Sequence, residues 1–153
     1  MQKTDFPALL APGMHPLTLE SLHELAVAPF PNDSRRAELY DKLRLWTNAL
    51  HVSGVRGTLW LDGSFLTEKV GPSDIDCILW NPSWVDEAGA TDQVKSEVLK
   101  LLDRATAEAI FNLDFFMETP AADRVFHREA YWRGILGFCH DRVTAKGFAE
   151  IAL

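Results

Sequence analysis

Leu59-Trp60-Leu61-Asp62-Gly63-Ser64-Phe65, followed by Ser73-Asp74-Ile75-Asp76-Cys77-Ile78-Leu79, is the stretch whose reading decides the fold. Each half is an apolar run of strand length, the first ending in Gly-Ser and the second opening with Asp-x-Asp. Side chains alternate between faces along a strand, so Asp74 and Asp76 point the same way. Two carboxylates on one face repel each other unless a cation or a basic group lies between them.

Upstream, Asn32-Asp33-Ser34 opens a helix in which Leu39, Leu43, Trp46 and Leu50 share one face, and Gly54 closes it. An aromatic at that spacing reads as core. Residues 5–31 are rich in proline, with Ala11-Pro12-Gly13-Met14-His15-Pro16 as a turn cluster and a short helix capped by Thr18 and running through Leu19, Leu22 and Leu25. Residues 1–31 therefore read as an arm packing across a domain of residues 32–153.

Downstream, Trp80-Asn81-Pro82-Ser83-Trp84 reads as a loop. One long helix is expected from about Thr91, with Val94, Val98, Leu101, Leu102, Ala105 and Ala109 on its apolar side. Asn112 to Met117 reads as a third strand. Asp123 to Phe138 reads as a helix packing through Val125, Phe126, Tyr131, Trp132 and Leu136, and residues 147–153 as a final strand.

A chain of 153 residues, 47% hydrophobic, suits one domain with one substantial core. Its formal net charge of -7 excludes a broad basic surface for nucleic acid, which needs clustered Lys and Arg. Arg35-Arg36 is the close basic pair, Arg124, Arg128, Arg133 and Arg142 are diffuse, and most of these read as solvated or paired surface residues. Cys77 lies in an apolar strand pattern, and two distant cysteines imply neither a disulfide framework nor a zinc site. The N-terminus lacks the pattern of a signal peptide and no stretch has membrane-spanning length, so the expected compartment is the cytoplasm. The five histidines show no paired metal spacing, although His140, beside Asp141-Arg142, is the one best placed to approach a cleft. Ser64 lacks the Gly-x-Ser-x-Gly elbow of a hydrolase nucleophile.

Asp114 stands inside the apolar, aromatic run of the third strand, where a carboxylate is costly to bury. It is expected to sit at an exposed strand end, to pair with an arginine such as Arg128 or Arg133, or to join Asp74 and Asp76 at one edge of a small sheet. Three such carboxylates suit hard divalent cations that bridge to phosphates. Gly63-Ser64 adds a turn where backbone can approach an anion closely.

On these residues the chain resembles the nucleotidyltransferase fold of the DNA polymerase beta type, in a minimal single-domain form. That family carries Gly-Ser at the end of one strand, Asp-x-Asp on the next and a third carboxylate on a later strand. The resemblance implies an α/β (α+β) domain, a small mixed β-sheet flanked by helices. It implies a magnesium- or manganese-dependent transfer of a nucleoside monophosphate from a nucleoside triphosphate to a protein or RNA acceptor. Asp74, Asp76 and Asp114 would hold the metal and perform catalysis, and Gly63, Ser64 and Lys69 would position the phosphates.

A closer resemblance, over Pro12-Gly13-Met14-His15-Pro16, Asp62-Gly63-Ser64-Phe65, Asp74-Ile75-Asp76, Asp141-Arg142 and Lys146-Gly147-Phe148, is to small uncharacterised bacterial proteins grouped with nucleotidyltransferases. Single-domain enzymes of this kind often act in toxin-antitoxin or antiphage systems. One departure stands out: the arginine and further glycine usual after Gly-Ser are replaced by Phe65-Leu66-Thr67-Glu68-Lys69. The alternative is therefore a catalytically degenerate member, a binding or antitoxin-like regulatory module or a homodimer. Trp80 and Trp84 would then serve as exposed interface aromatics.

Overall fold

The computed structural model describes residues 3–153. Among them the chain forms five α-helices and one five-stranded mixed sheet in a single α/β domain. In chain order these are β1 (Gly13–Pro16), α1 (Leu19–Ala26), α2 (Ser34–Val52), β2 (Val55–Asp62), β3 (Ile75–Trp84), α3 (Asp92–Leu101), α4 (Arg104–Phe111), β4 (Leu113–Glu118), α5 (Val125–Leu136) and β5 (Gly147–Ala152). Strand order is β1-β5-β2-β3-β4, antiparallel for β5-β2 and β2-β3 and parallel at both edges.

Alternation along the strands divides the interior into two layers. Leu59, Leu61, Cys77, Leu79, Leu113, Phe115, Ala149 and Ile151 pack beneath α1 to α4, where Leu39, Leu43, Trp46 and Leu50 of α2 are fully buried as their spacing requires. Trp60, Ile78, Trp80 and Phe148 face the other way and are covered by Trp132 and Leu136 of α5 alone. A single helix is too small to cover five strands. One end of this second face is therefore left open, and the carboxylates lie there.

The arm is part of the fold. Its β1 adds a strand beside β5, and Leu22 and Ala26 of α1 enter the larger core. Thr18 caps α1 through a reciprocal pair of bonds with Ser21.

The structure corrects several expectations. The long helix from Thr91 is two helices, because the Asp103 side chain accepts from Thr106 N–H and caps a new start. That resets the phase, so Ala107 is buried while Ala105 and Ala109 are exposed. Trp80 to Trp84 is not a loop but the end of β3, where a register shift opposite Gly57 and a positive φ at Asn81 absorb Pro82. Trp80 is buried, and Trp84 packs on the larger core while donating to Ser53 C=O at 2.7 Å, so neither is a free interface aromatic. On α5, Phe126 and Tyr131 are exposed, since only the Trp132 and Leu136 side of the helix meets the sheet.

Arg36 is the largest departure. It is fully buried: its guanidinium donates to Ala26 C=O (3.1 Å), Phe65 C=O (2.7 Å), Thr67 C=O and Lys69 C=O (2.7 Å), with Asp33 at 3.4 Å and the Phe30 ring at 4.0 Å. Arg35 donates to Pro72 C=O and to Ser73 C=O, at 3.3 and 2.6 Å. Asp33, the cap of α2, accepts from Gly71 N–H at 2.9 Å. The start of α2 thus ties down the whole connection between β2 and β3.

Candidate active site

Pairing registers place Asp62 beside Asp76, and Asp76 beside Asp114, across β2, β3 and β4. Paired positions share a face, so three carboxylates form a row across the sheet. Asp74, just before β3, adds a fourth. All four line a cavity of about 1140 Å³, together with Gly63, Ser64, Lys69 and Lys146. The arm (Lys3 to Phe6), the end of α5 and the segment leading into β5 form its other walls. His140 lines it too, held by Asp5, whose carboxylate lies 2.7 Å from Nδ1 and accepts from the His140 N–H at 3.0 Å.

The sequence-derived residues Gly63, Ser64, Lys69, Asp74, Asp76 and Asp114 therefore meet at one cavity. Gly63 takes φ +92°, and a Cβ there would stand 2.8 Å from Asp76 Oδ2, so only glycine lets the turn close against that carboxylate. Gly63→Ala is expected to cost about 1–3 kcal/mol of stability, read in a urea melt, by forcing the turn and Asp76 apart. Ser64 begins a short 3₁₀ turn, Ser64–Leu66, which Thr67 closes through its hydroxyl bond to Ser64 C=O at 2.8 Å.

The electrostatics are those of crowded carboxylates. Burial, with Asp74 and Asp114 nearby, raises Asp76 to about 6. Burial raises Asp62 to about 7 against the opposing pull of Lys146, whose Nζ stands 2.8 Å from Asp62 Oδ2. Asp62 Oδ1 is buried with no hydrogen-bond partner. Asp114 pairs with neither Arg128 nor Arg133. Its Oδ1 accepts from Arg104 at 3.0 Å, and that guanidinium also lies 4.0 Å from the centre of the Phe116 ring. Arg128 instead serves Glu118.

Among the described residues, no three His, Cys, Asp or Glu side chains form a ready-made metal cluster. The cavity's donors are carboxylate oxygens, the ligand type that a hard divalent cation takes. Mg²⁺ needs only one or two carboxylates when phosphates supply the remaining ligands. Asp74 and Asp76 are the pair left free for it, since Asp62 and Asp114 are each engaged by a basic side chain.

The sequence points to no role for Asp62, Lys146 or Arg104 and makes Arg35-Arg36 a solvated or paired surface pair, whereas Arg36 is fully buried. Asp62 was visible in the strand adjacent to Gly63, but its place in the row depends on the β2-β3 register. Lys146 meets Asp62 only because β5 inserts next to β2.

A family model described as a family of unknown function, DUF6932, matches residues 3–152. The chain belongs to this family. No curated protein and no solved structure matches it. In this DUF6932 member, as far as the described residues go, no helix is long and apolar enough to cross a membrane. The matched span takes in the arm and β5 as well as the β2-β3 pair, so every element that lines the cavity lies within the family region.

Proposed function

We propose that this cavity transfers a nucleoside monophosphate from a nucleoside triphosphate to a hydroxyl of a protein or RNA acceptor, with Mg²⁺ or Mn²⁺ bound at Asp74 and Asp76. The observation that carries this reading is the in-register row of Asp62, Asp76 and Asp114 opening, beside the Gly63-Ser64 turn, onto one large cavity. The acceptor oxygen attacks the α-phosphorus, the bond to the β-phosphate oxygen breaks, and pyrophosphate leaves. The divalent ion, when bound, neutralises charge on the phosphates. Asp114, at the outer end of the row and 40% exposed, takes the hydroxyl proton. Lys146 and Lys69 line the same cavity and would offset the negative charge that the leaving group gains. The bonds from Arg35 and Arg36 tie the connecting loop to the start of α2.

Labelled nucleoside triphosphates incubated with the protein and a cell extract test this reading. Metal-dependent label on an acceptor is expected, with at least about a hundredfold loss in Asp76→Ala. Label that persists undiminished in Asp76→Ala would overturn the proposal.

A second reading is favoured by one observation: Arg104 and Lys146 already neutralise Asp114 and Asp62 internally. A degenerate member acting as a regulatory binding module would look the same. Calorimetry separates the two, because a degenerate site binds neither magnesium nor nucleoside triphosphate.

A further inference from the structure

We infer that the slot between β4 and α5 receives the nucleobase of the nucleotide, an inference that rests on the nucleotidyl-transfer reading. The slot has a volume of about 410 Å³ and is continuous with the large cavity, for Asp76, Asp114, Ile135 and Leu136 line both. That volume lies within the range of about 300–1,000 Å³ typical of small-ligand sites. In this direction the row of carboxylates opens onto the aromatic side chains of Phe116, Tyr131 and Trp132.

Its walls suit a flat, polar ring. Ile78 and Phe116 form the sheet side, and Tyr131 and Ile135, both about half-exposed, form the helix side. Every base offers a π-face, so stacking on such walls needs no particular base. At the far end the Glu118 carboxylate accepts from Arg128 and, at 2.8 Å, from Trp132 Nε1. A carboxylate and a guanidinium side by side give one acceptor and several donors, the complement of a base edge that carries both kinds of group. Tyr131 also carries Arg128 across its ring at 4.7 Å, which holds the phenol in place. The phosphates then lie over the carboxylates, and the base lies beyond Asp114, in line with the sheet. Such an arrangement gives an otherwise unexplained exposed aromatic on α5 a ligand to meet.

The experiment is calorimetric titration of the full chain, in magnesium, with ATP, GTP, CTP and UTP, with the four nucleosides, and with inorganic tripolyphosphate. Tyr131→Ala and Ile135→Glu are compared with the wild type, each checked for an unchanged circular-dichroism melt. Both variants should bind nucleoside triphosphate about tenfold more weakly, while tripolyphosphate affinity stays the same. If triphosphates bind wild type and both variants equally, the slot assignment is overturned and the transfer reading stands. Nucleoside binding that both variants abolish, with no binding of tripolyphosphate, would keep the slot and overturn the transfer reading. If neither nucleosides nor triphosphates bind the wild type, both fall.

Discussion

Arg36→Met is expected to lose about 3–5 kcal/mol of folding stability, a large share of the total for a domain of this size. Methionine fills much of the space but leaves four carbonyls, those of Ala26, Phe65, Thr67 and Lys69, without their donor. Unpaired buried carbonyls are costly because water cannot reach them. Asp33 would also lose its charge partner. Arg36→Lys keeps the charge but cannot reach four acceptors from one ammonium, so it should recover only part of the loss. Urea unfolding of the three proteins provides the measurement. Equal midpoints for wild type and Arg36→Met would show that the guanidinium does not hold the loop. The same substitution should loosen residues 65–69 on the site side, so that hydrogen exchange there speeds up even under conditions where the fold survives.

Lys146→Met should be the second most damaging change, and its effect should depend on pH. The wild-type ammonium sits 2.8 Å from a buried carboxylate, and removing it leaves Asp62 and Asp76 side by side without compensation. In the wild type the folded-state values of Asp62 and Asp76, about 7 and about 6, lie above the 3.8 of a free carboxyl. The folded protein therefore binds these protons more readily than the unfolded chain. Their contribution to stability is complete below about pH 4 and is lost as pH rises through 6 and 7. Without Lys146 both carboxyls shift further upward, so the loss deepens. The variant should be destabilised by about 3 kcal/mol at pH 8 and by less than half of that at pH 5.5. Below pH 4 the trend reverses in both proteins, since carboxylates such as Glu118, held low by the Arg128 hydrogen bond, are then protonated. Thermal melts from about pH 3 to 8.5 check this. A pH-independent difference between the two proteins would show that Asp62 carries no charge in the folded state.

Both experiments concern residues whose importance was invisible in one dimension. Arg36 lies one turn before Leu39 on the same face as the apolar stripe, but an arginine is ordinarily solvated, so its residue type argues against the burial that its position allows. Its burial follows from where the β2-β3 connection crosses the start of α2. By contrast, Leu39, Leu43, Trp46 and Leu50 were legible because helical spacing alone puts them on one face. The strand read over Asn112 to Met117 was equally plain and lies at Leu113–Glu118, while the partner of Asp114 was not, because Arg104 belongs to a helix break created by the Asp103 cap.

The opening stretch shows the same division. By itself the sequence determined two adjacent strands, a glycine turn between them, and Asp74 and Asp76 on a common side, since alternation and turn chemistry are local properties. Only the tertiary structure decided that Asp62 and Asp114 flank Asp76 and that Lys146 and Arg104 answer their charges. It also left one end of the sheet open beside α5. Those facts depend on strand order, register and the coverage of a face by a single helix, and each is set by contacts between segments far apart in the chain.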